Sequence, residues 1–271
     1  NEEKIFYKYK LNPVINSVTQ LKKWLMFLKN KKKDRLIIHF DTGMCRLGIQ
    51  EKDIKEVLKL KTQLDKFKEV IIMSHLACAG EKKDPFNEIQ RKKFEKIKML
   101  LPGYKYSLAA SGGIFLGKKY HYDLVRPGIN LYGGSKSYNK NLKHVVSLKS
   151  PIIQINELKK GQTAGYSRTF KAKKNMTTAT IPMGYADGIG IRLSNKGFVH
   201  FKSQKLPMLG RISMDLIIID ITKVKNQIKL GDFVYLYNDL FTIDDFAKLT
   251  GTIPYRIITC ISKRYIKNYK N

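Results

Sequence analysis

Apolar positions follow a helical period in parts of the first half of the chain and a strand-like period in the second half. Between residues 17 and 125, segments with apolar side chains three or four positions apart alternate with short apolar runs at 36–40, 70–73, 106–110 and 123–125. Helices are predicted after Ser17, across 54–64 and after Pro85. This alternation is typical of parallel βα units. The helix after Pro85 is expected to turn five side chains inward, namely Phe86, Ile89, Phe94, Ile97 and Leu101.

From residue 144 onward the apolar runs are shorter and are separated by turns that contain glycine. Strands are predicted at 152–155, 177–182, 198–202, 206–209, 216–221 and 233–236. A last helix is predicted from Thr242 to Leu249, because Thr242 and Asp245 have the spacing of a capping box. We therefore predict an α/β domain over residues 1–143 and a β-rich domain over residues 144–271.

Residues with useful chemistry come directly after the predicted strands of the first domain. They are Asp41, Arg46, His75, Ser111 and Arg126. In a (β/α)8 barrel the active site lies at the C-terminal ends of the strands. Four strands cannot close such a barrel, which leaves two alternatives. The sheet is open, or the first strands of a barrel lie outside this chain.

Ser111 and the two glycines after it follow a strand and open a helix. Backbone amides at a helix N-terminus beside a hydroxyl can bind an anion, although the same pattern is also an ordinary N-cap. Gly128 and Ile129 supply a second stretch of open backbone after the next strand. Two adjacent loops of this kind are similar to the phosphate site of many barrels. Taken alone, Arg126 is also compatible with a structural ion pair, and His75 with a hydrogen-bonded core histidine.

Composition narrows the class of protein. The chain has 271 residues, of which 43% are hydrophobic, so it can form a sizeable core. The longest notable apolar run, at 216–219, is too short to cross a bilayer, and no signal-peptide pattern opens the sequence. Three scattered cysteines argue against a disulfide framework and favour a reducing, cytoplasmic setting. There is no P-loop and no histidine pair with metal-ligand spacing, so no metal is expected.

The net charge of +30 has two interpretations. A basic surface could bind nucleic acid. However, the lysines are spread over the polar faces of the predicted helices, and no aromatic residues of the base-stacking kind are interleaved with them. We therefore expect no nucleic-acid partner, and attribute the charge to a lysine-rich composition that also favours capture of anionic ligands.

Five short motifs occur in a fixed order. They are 41–48 (DTGMCRLG), 125–129 (VRPGI), 165–167 (GYS), 184–188 (GYADG) and 210–215 (GRISMD). Together they resemble the signature of the alanine racemase family, over about residues 11–269. The resemblance implies the C-terminal portion of a (β/α)8 (TIM) barrel followed by a β-rich domain, and pyridoxal 5'-phosphate as cofactor. It also implies that L- and D-alanine are interconverted for peptidoglycan synthesis.

The resemblance assigns roles to individual residues on the cofactor. Ser111 and the backbone amides of Gly128 and Ile129 match the family residues that hold the phosphate, together with Tyr255. Arg126 matches an arginine that contacts the pyridine nitrogen, and His75 matches a histidine that supports this arginine. Since arginine stays charged, the pyridine nitrogen would stay unprotonated, which favours racemisation over transamination.

The resemblance also assigns roles to residues that would contact the substrate. Tyr166 matches the catalytic tyrosine that acts from the partner subunit of a homodimer, and Arg46 an arginine that binds the substrate carboxylate. Tyr185, Met214 and Asp215 match residues at the substrate entry. Racemisation needs acid–base groups on opposite faces of the α-carbon, so Tyr166 is expected to be one of two. A phenol requires cationic or hydrogen-bonding help to act near neutral pH.

Two departures from the family pattern stand out. The lysine that binds the cofactor covalently belongs to a segment with no match among these 271 residues, so we expect the chain alone to be inactive. His39 stands where many members have a lysine, which affects how Arg46 is oriented. Two alternatives remain: a racemase of another amino acid, such as serine or lysine, and a basic binding protein without catalysis.

Overall fold

The computed structural model describes residues 2–135, 138 and 141–269. The chain forms two compact units that divide between Gly128 and Ile129. Each unit has its own buried core, and each is described by itself. The domain boundary predicted at residue 143 differs from this division and stays a prediction.

The first unit contains one sheet of four parallel strands in sequential order. Its strands are β1 (Val14–Ile15), β2 (Arg35–His39), β3 (Glu69–Met73) and β4 (Lys105–Ser107). Its helices are α1 (Glu2–Lys8), α2 (Val18–Phe27), α3 (Ile54–Leu58), α4 (Lys61–Leu64), α5 (Phe86–Leu100) and α6 (Ser111–Ile114). Parallel neighbours need a crossover between them, and the helices and loops between the strands provide it. The C-terminal ends of the strands therefore share one edge of the sheet.

Burial explains why this sheet forms. Leu36 and Ile38 of β2 are fully buried, and so is Ile72 of β3, which lies beside Ile38 in the parallel register. Phe94 of α5 joins the same core. Strands with a long apolar stretch are expected where helices cover a parallel sheet. Helix α2 starts where predicted, since the Ser17 hydroxyl accepts the backbone N–H of Gln20 at 3.1 Å.

The buried face of α5 differs from the prediction. Ile89, expected inside, is about half exposed, while Asn87 and Gln90 are buried. Consecutive residues of a helix turn by roughly 100°, so Ile89 points roughly 140° away from Phe94. Asn87, Gln90 and Phe94 follow the i, i+3, i+7 spacing of a single face. The buried stripe of α5 thus begins with two polar side chains.

Other predicted elements also changed. The strand predicted at 106–110 is limited to Lys105–Ser107, and the one predicted at 123–125 is replaced by a single bridge between Ala110 and Arg126. The helix predicted across 54–64 is divided into α3 and α4. Residues 108–110 and most of 123–126 are therefore loops, and these loops lie next to the edge of the sheet that carries the polar residues.

The second unit is built on an antiparallel sheet of seven strands. These are β5 (Leu148–Pro151), β6 (Gln154–Leu158), β9 (Met176–Ile181), β10 (Phe198–Phe201), β11 (Gln204–Leu209), β12 (Ile217–Asp220) and β13 (Phe233–Tyr237). The spatial order is β5-β13-β10-β11-β12-β9-β6. A separate ribbon pairs β7 (Thr163–Ala164) with β8 (Phe170–Lys171). The predicted strands at 177–182, 198–202, 206–209, 216–221 and 233–236 all fall on strands of this sheet.

Two helices complete the second unit, α7 (Ile243–Thr250) and α8 (Pro254–Thr259). Helix α7 begins at the predicted capping box: Thr242 Oγ1 accepts the Asp245 N–H, and the Asp245 carboxylate accepts the Thr242 N–H at 2.8 Å. Ile243 and Phe246 of α7 pack into the core of this unit. Helix α8 was not predicted, although its proline at the first position is a favoured start. No helix in the described ranges is both long and apolar enough to span a membrane.

We predict that Thr242→Ala lowers the free energy of unfolding by about 1 kcal/mol, because the side chain that caps α7 is lost. Urea unfolding followed by circular dichroism measures the change. Thr242→Ser is the control, since it keeps the hydroxyl. Equal unfolding midpoints for Thr242→Ala and the wild type would show that the cap contributes nothing.

Candidate active site

Arg126 lies at the edge where the parallel strands of the first unit end. Its guanidinium donates to Ser107 Oγ at 2.5 Å and to the backbone carbonyl of Ser74 at 2.7 Å. A longer bond, of 3.3 Å, reaches Nδ1 of His75. Ser74 and His75 follow β3, and Ser107 ends β4, so sequential parallel strands deliver all three partners to one place.

All of these partners of Arg126 are neutral. Among the described residues no carboxylate forms an ion pair with this arginine. Burial without an acidic partner lowers the pKa of Arg126 to about 10, so the side chain is still charged at neutral pH. A largely buried cation held by neutral acceptors can bind an acceptor or an anion from outside the chain.

His75 is held in its neutral form beside this cation. Burial, reinforced by the nearby charges of Arg126 and Arg46, lowers the pKa of His75 to about 4. Since Arg126 is the donor, His75 Nδ1 is the acceptor, and in the neutral ring the proton is on Nε2. The ring therefore supports Arg126 without adding positive charge.

Ser111 and Gly128 converge a short distance along the same edge. Ser111 is buried at the start of α6, and its hydroxyl accepts the Gly128 N–H at 2.8 Å. The hydroxyl and the amide can therefore meet the same small anion. A phosphate group fits this pair, and the pyridine nitrogen of a cofactor fits the unpaired cation at Arg126, so the residues present suit pyridoxal phosphate.

The 41–48 loop carries Arg46 and is fixed from inside by Asp41. The Asp41 carboxylate accepts the backbone N–H groups of Gly43 at 2.8 Å and Cys45 at 3.2 Å. Burial of Asp41 raises its pKa, but these bonds and one from Gln50 outweigh burial and lower it. Arg46 itself is exposed at the surface of the loop. Its positive charge also contributes to lowering the pKa of His75.

His39 is buried at the end of β2 and faces the same charges. Its Nδ1 lies 2.8 Å from Oδ1 of Asn16, whose Nδ2 donates to the Val14 carbonyl. Nδ1 is therefore the donor, and Asn16 fixes the tautomer of His39. Burial and the charge of Arg126 lower the pKa of His39. His39 thus contributes a neutral ring at the position where a lysine was expected from the resemblance.

In the second unit, the motifs 184–188 and 210–215 lie against each other. Tyr185 N–H donates to the Ser213 carbonyl at 3.1 Å, and Ala186 N–H to the Met214 carbonyl at 3.0 Å. A side chain on Gly184 would overlap both carbonyls, so only glycine fits there. Tyr185 and Met214 are left with exposed side chains on neighbouring backbone.

Arg264 ties these two motifs together. Its guanidinium contacts Asp187 at 3.5 Å and also pairs with Asp215. Asp187 is buried and its other oxygen accepts the Gly184 N–H at 3.0 Å. Asp215 therefore sits in a fixed position, and Arg264 is a residue that sequence reasoning did not identify.

Tyr166 is on a short loop whose backbone is also fixed by glycine. A Cβ atom on Gly165 would lie 2.8 Å from the backbone nitrogen of Arg211. Next to Tyr166, Ser167 has a positive φ of 56°, and its hydroxyl accepts from Arg211 at 3.3 Å. Tyr166 itself is 68% exposed. The phenol of Tyr166 therefore lies at the surface, and the Arg211 guanidinium contacts the adjacent residue, Ser167.

The remaining predicted residues are Ile129 and Tyr255. The Ile129 side chain is buried in the core of the second unit, where it lies near Ile243 on either side of Gly134. Tyr255 is in the first turn of α8 and is partly exposed. The C-terminal end of α8 meets the 184–188 motif, since a side chain on Gly188 would overlap the Cys260 carbonyl.

The structure therefore brings the predicted residues together in two groups. The first unit holds Arg46, His75, Ser111, Arg126 and Gly128. The second holds Ile129, Tyr166, Tyr185, Met214, Asp215 and Tyr255. No cluster of three or more possible metal-ligating side chains occurs in the described parts of the chain.

Comparison with known families identifies the fold. Residues 1–136 match the family model of the alanine racemase N-terminal domain, and residues 145–269 that of the alanine racemase C-terminal domain. The chain belongs to the alanine racemase family. An alanine racemase from Rickettsia bellii is 40% identical over 270 residues, which cover 97% of this chain and 65% of the relative. One from Rhizobium meliloti is 34% identical, with 98% of this chain and 74% of the relative covered.

Solved alanine racemase structures agree. That from Bartonella henselae, with covalently bound pyridoxal phosphate, superposes with a TM-score of 0.89 at 38% identity, covering 97% of this chain and 74% of that one. The alanine racemase from Pseudomonas aeruginosa superposes with a TM-score of 0.87 at 26% identity, and the match covers 100% of this chain and 76% of that one. The predicted fold class, part of a (β/α)8 barrel followed by a β-rich domain, is confirmed. The chain spans about two thirds to three quarters of the length of these alanine racemases.

We predict that the pKa of His75 rises when a neighbouring arginine is neutralised. Arg126→Met should give the larger rise and Arg46→Met a smaller one, because a nearby like charge disfavours the protonated ring. NMR titration of the histidine ring signals, assigned with His75→Gln, measures both shifts. A wild-type midpoint near the ordinary value of about 6.5 would contradict this picture.

We predict that Gly184→Ala lowers the free energy of unfolding by about 1–3 kcal/mol, because the new methyl group overlaps the Ser213 and Met214 carbonyls. Denaturant unfolding provides the measurement. Gly190→Ala is the matched control, since its Cβ would meet nothing within 4 Å and its φ of −64° suits alanine. If both variants unfold at the same denaturant concentration, the close approach at Gly184 is not a constraint.

Proposed function

We propose that the protein interconverts L- and D-alanine with pyridoxal phosphate as cofactor. One observation carries the proposal: the partly buried, charged Arg126 is held by neutral groups alone and lies at the strand edge that also carries Ser111 and Gly128. Membership of the alanine racemase family supports it. So does the covalently bound pyridoxal phosphate of the Bartonella henselae relative.

Arg126 would meet the pyridine nitrogen of the cofactor. When bound, pyridoxal phosphate withdraws electrons from the amino acid and so acidifies its α-hydrogen. Arg126 would donate a hydrogen bond to the ring nitrogen without giving up a proton, so the nitrogen would stay unprotonated and would withdraw electrons only moderately. His75, neutral and accepting from Arg126, holds the guanidinium in place. This weak activation suits reversible removal of one proton.

Ser111 and Gly128 would hold the phosphate group. The Ser111 hydroxyl and the Gly128 amide, which now bond to each other, would both be available to phosphate oxygens, and the first amides of α6 would be further donors. The contributions predicted for the Ile129 amide and the Tyr255 hydroxyl stay predictions. We propose that Arg46, which is exposed on its loop, binds the carboxylate of the substrate.

Tyr166 would move the proton on one face of the α-carbon. The phenol is exposed, and the Arg211 guanidinium contacts the hydroxyl of the next residue, Ser167. We propose that Tyr166 acts on the partner subunit's cofactor in a homodimer, together with Tyr185, Met214 and Asp215. The acid–base group on the opposite face is predicted to be the lysine that binds the cofactor.

The free thiols of Cys45, Cys78 and Cys260 support a cytoplasmic location, where reduced cysteine is stable. The substrate is best separated from its alternatives by a panel of alanine, serine and lysine. Racemisation of serine or lysine in preference to alanine would replace the proposed substrate. Steeply salt-dependent retention on heparin, together with no binding of pyridoxal phosphate, would favour a basic binding protein instead.

We predict that Tyr166→Phe reduces D-alanine formation by about 10²–10⁴-fold, the range in which general acid–base groups contribute. The protein expressed from its full coding sequence is loaded with pyridoxal phosphate, and D-alanine is measured by chiral chromatography. Cofactor affinity should not change. Tyr9→Phe, an equally exposed tyrosine in the first unit, is the matched control.

Mixing variants tests whether the site is shared between subunits. Tyr166→Phe and Arg46→Ala should each be inactive alone, yet a mixture that has exchanged subunits should recover about a quarter of the wild-type activity, because half the dimers have one intact site of two. No recovery after verified exchange would place Tyr166 and Arg46 of the same chain in one site. Full activity of Tyr166→Phe would remove the tyrosine from the mechanism.

A further inference from the structure

Gln90 is a fully buried amide with three hydrogen bonds to protein groups. It is in α5, where its side chain reaches the loop that follows β3. Its Oε1 accepts the backbone N–H of Ala77 at 2.8 Å, and its Nε2 donates to the backbone carbonyl of His75 at 3.0 Å. Because a backbone N–H and a carbonyl are both contacted, the orientation of the amide is unambiguous.

The second Nε2 hydrogen extends this contact toward Arg126. It reaches Thr42 Oγ1 at 3.2 Å, and Thr42 Oγ1 lies 2.8 Å from Ser74 Oγ. Ser74 and Thr42 are both buried. Gln90 therefore contacts His75 directly and Ser74 through one hydroxyl, and these two residues supply two of the acceptors that hold the Arg126 guanidinium.

Asn87 provides an internal comparison on the same helix. It is also buried and also donates to backbone, but its partners are the carbonyls of Cys78 and Glu81 at 3.0 Å each. These lie further along the loop and contact no group that touches Arg126. Two buried amides on one face of α5 thus hold two different parts of one loop.

We propose that Gln90 is a positioning residue that holds the His75 ring and the Ser74 carbonyl against Arg126, and so sets how Arg126 meets the pyridine nitrogen. The second half of this statement rests on the proposed function, and the first half rests on the hydrogen bonds alone. Replacing the Gln90 amide with an apolar group of similar size removes the side-chain partner of the His75 carbonyl and of the Ala77 amide, both of which are partly buried. The loop then shifts, and the guanidinium loses its fixed acceptors.

The first test needs no cofactor. In Gln90→Met, the NMR titration midpoint of the His75 ring should move up from its lowered wild-type position, because the ring separates from Arg126 and gains water. Asn87→Met, matched in burial and in helix position, should leave that midpoint unchanged. Identical His75 midpoints in wild type, Gln90→Met and Asn87→Met would overturn the proposal.

The second test uses the protein expressed from its full coding sequence and loaded with pyridoxal phosphate. A displaced Arg126 lets the pyridine nitrogen take a proton, and the amino group of alanine then passes more often to the cofactor, releasing pyruvate. The ratio of pyruvate release to racemisation should rise about tenfold in Gln90→Met, the factor expected when a hydrogen bond to a charged group is lost. A variant that is merely less stable loses both reactions equally.

Thr42→Val keeps the test valid if Gln90→Met does not fold. It removes one hydroxyl from the chain of contacts at almost unchanged shape, so the ratio should rise in the same direction by a smaller factor. The control Asn87→Met should leave the ratio of pyruvate release to racemisation unchanged. If Thr42→Val and Gln90→Met also leave this ratio unchanged, the positioning role of Gln90 is rejected. If the wild type does not racemise alanine at all, the proposed function is wrong. The NMR comparison then still tests whether Gln90 holds His75 against Arg126.

Discussion

The structure of the first unit depends on how it holds one partly buried cation, Arg126. Removing an arginine from water without an acidic partner is unfavourable unless hydrogen bonds compensate for the lost hydration. Here a hydroxyl, backbone carbonyls and a neutral histidine accept hydrogen bonds from its two terminal nitrogens. These acceptors come from the ends of β3 and β4, so the parallel strand order itself produces the arrangement. A carboxylate at this place would neutralise the charge and remove the reason for a ligand to bind.

The cation then controls its surroundings. His75 and His39 both face Arg126, and both are held neutral by burial and by its charge. Asn16 fixes one ring and Arg126 the other, so each histidine has a single tautomer. The edge of the sheet therefore holds a positive charge beside two histidines whose pKa values both lie below the ordinary value.

Sequence reasoning named the residues expected to carry chemistry and missed side chains that hold the loops around them. Arg126, Ser111 and Tyr166 were predicted as site residues because motifs and strand ends mark them, and their roles stay predictions. Gln90 was missed because a helical stripe was read for apolar residues, so Ile89 was placed inside although it lies off the face of Phe94. A polar residue at the correct spacing within a buried stripe was the available signal. The Arg264 contacts with Asp187 and Asp215 join residues far apart in sequence, and no local pattern predicts such pairs.

The two units use different physical means to fix functional groups. In the first, buried hydrogen bonds orient side chains that are themselves largely enclosed. In the second, glycines let backbones approach so closely that the loops have little freedom, while Tyr166, Tyr185 and Met214 remain exposed. An exposed side chain on a fixed loop suits a group that must act on something outside its own unit. The exposure of Tyr166 fits the proposal that it supplies a base to a partner subunit, and the close contact at Gly165 restrains the backbone from which the phenol extends.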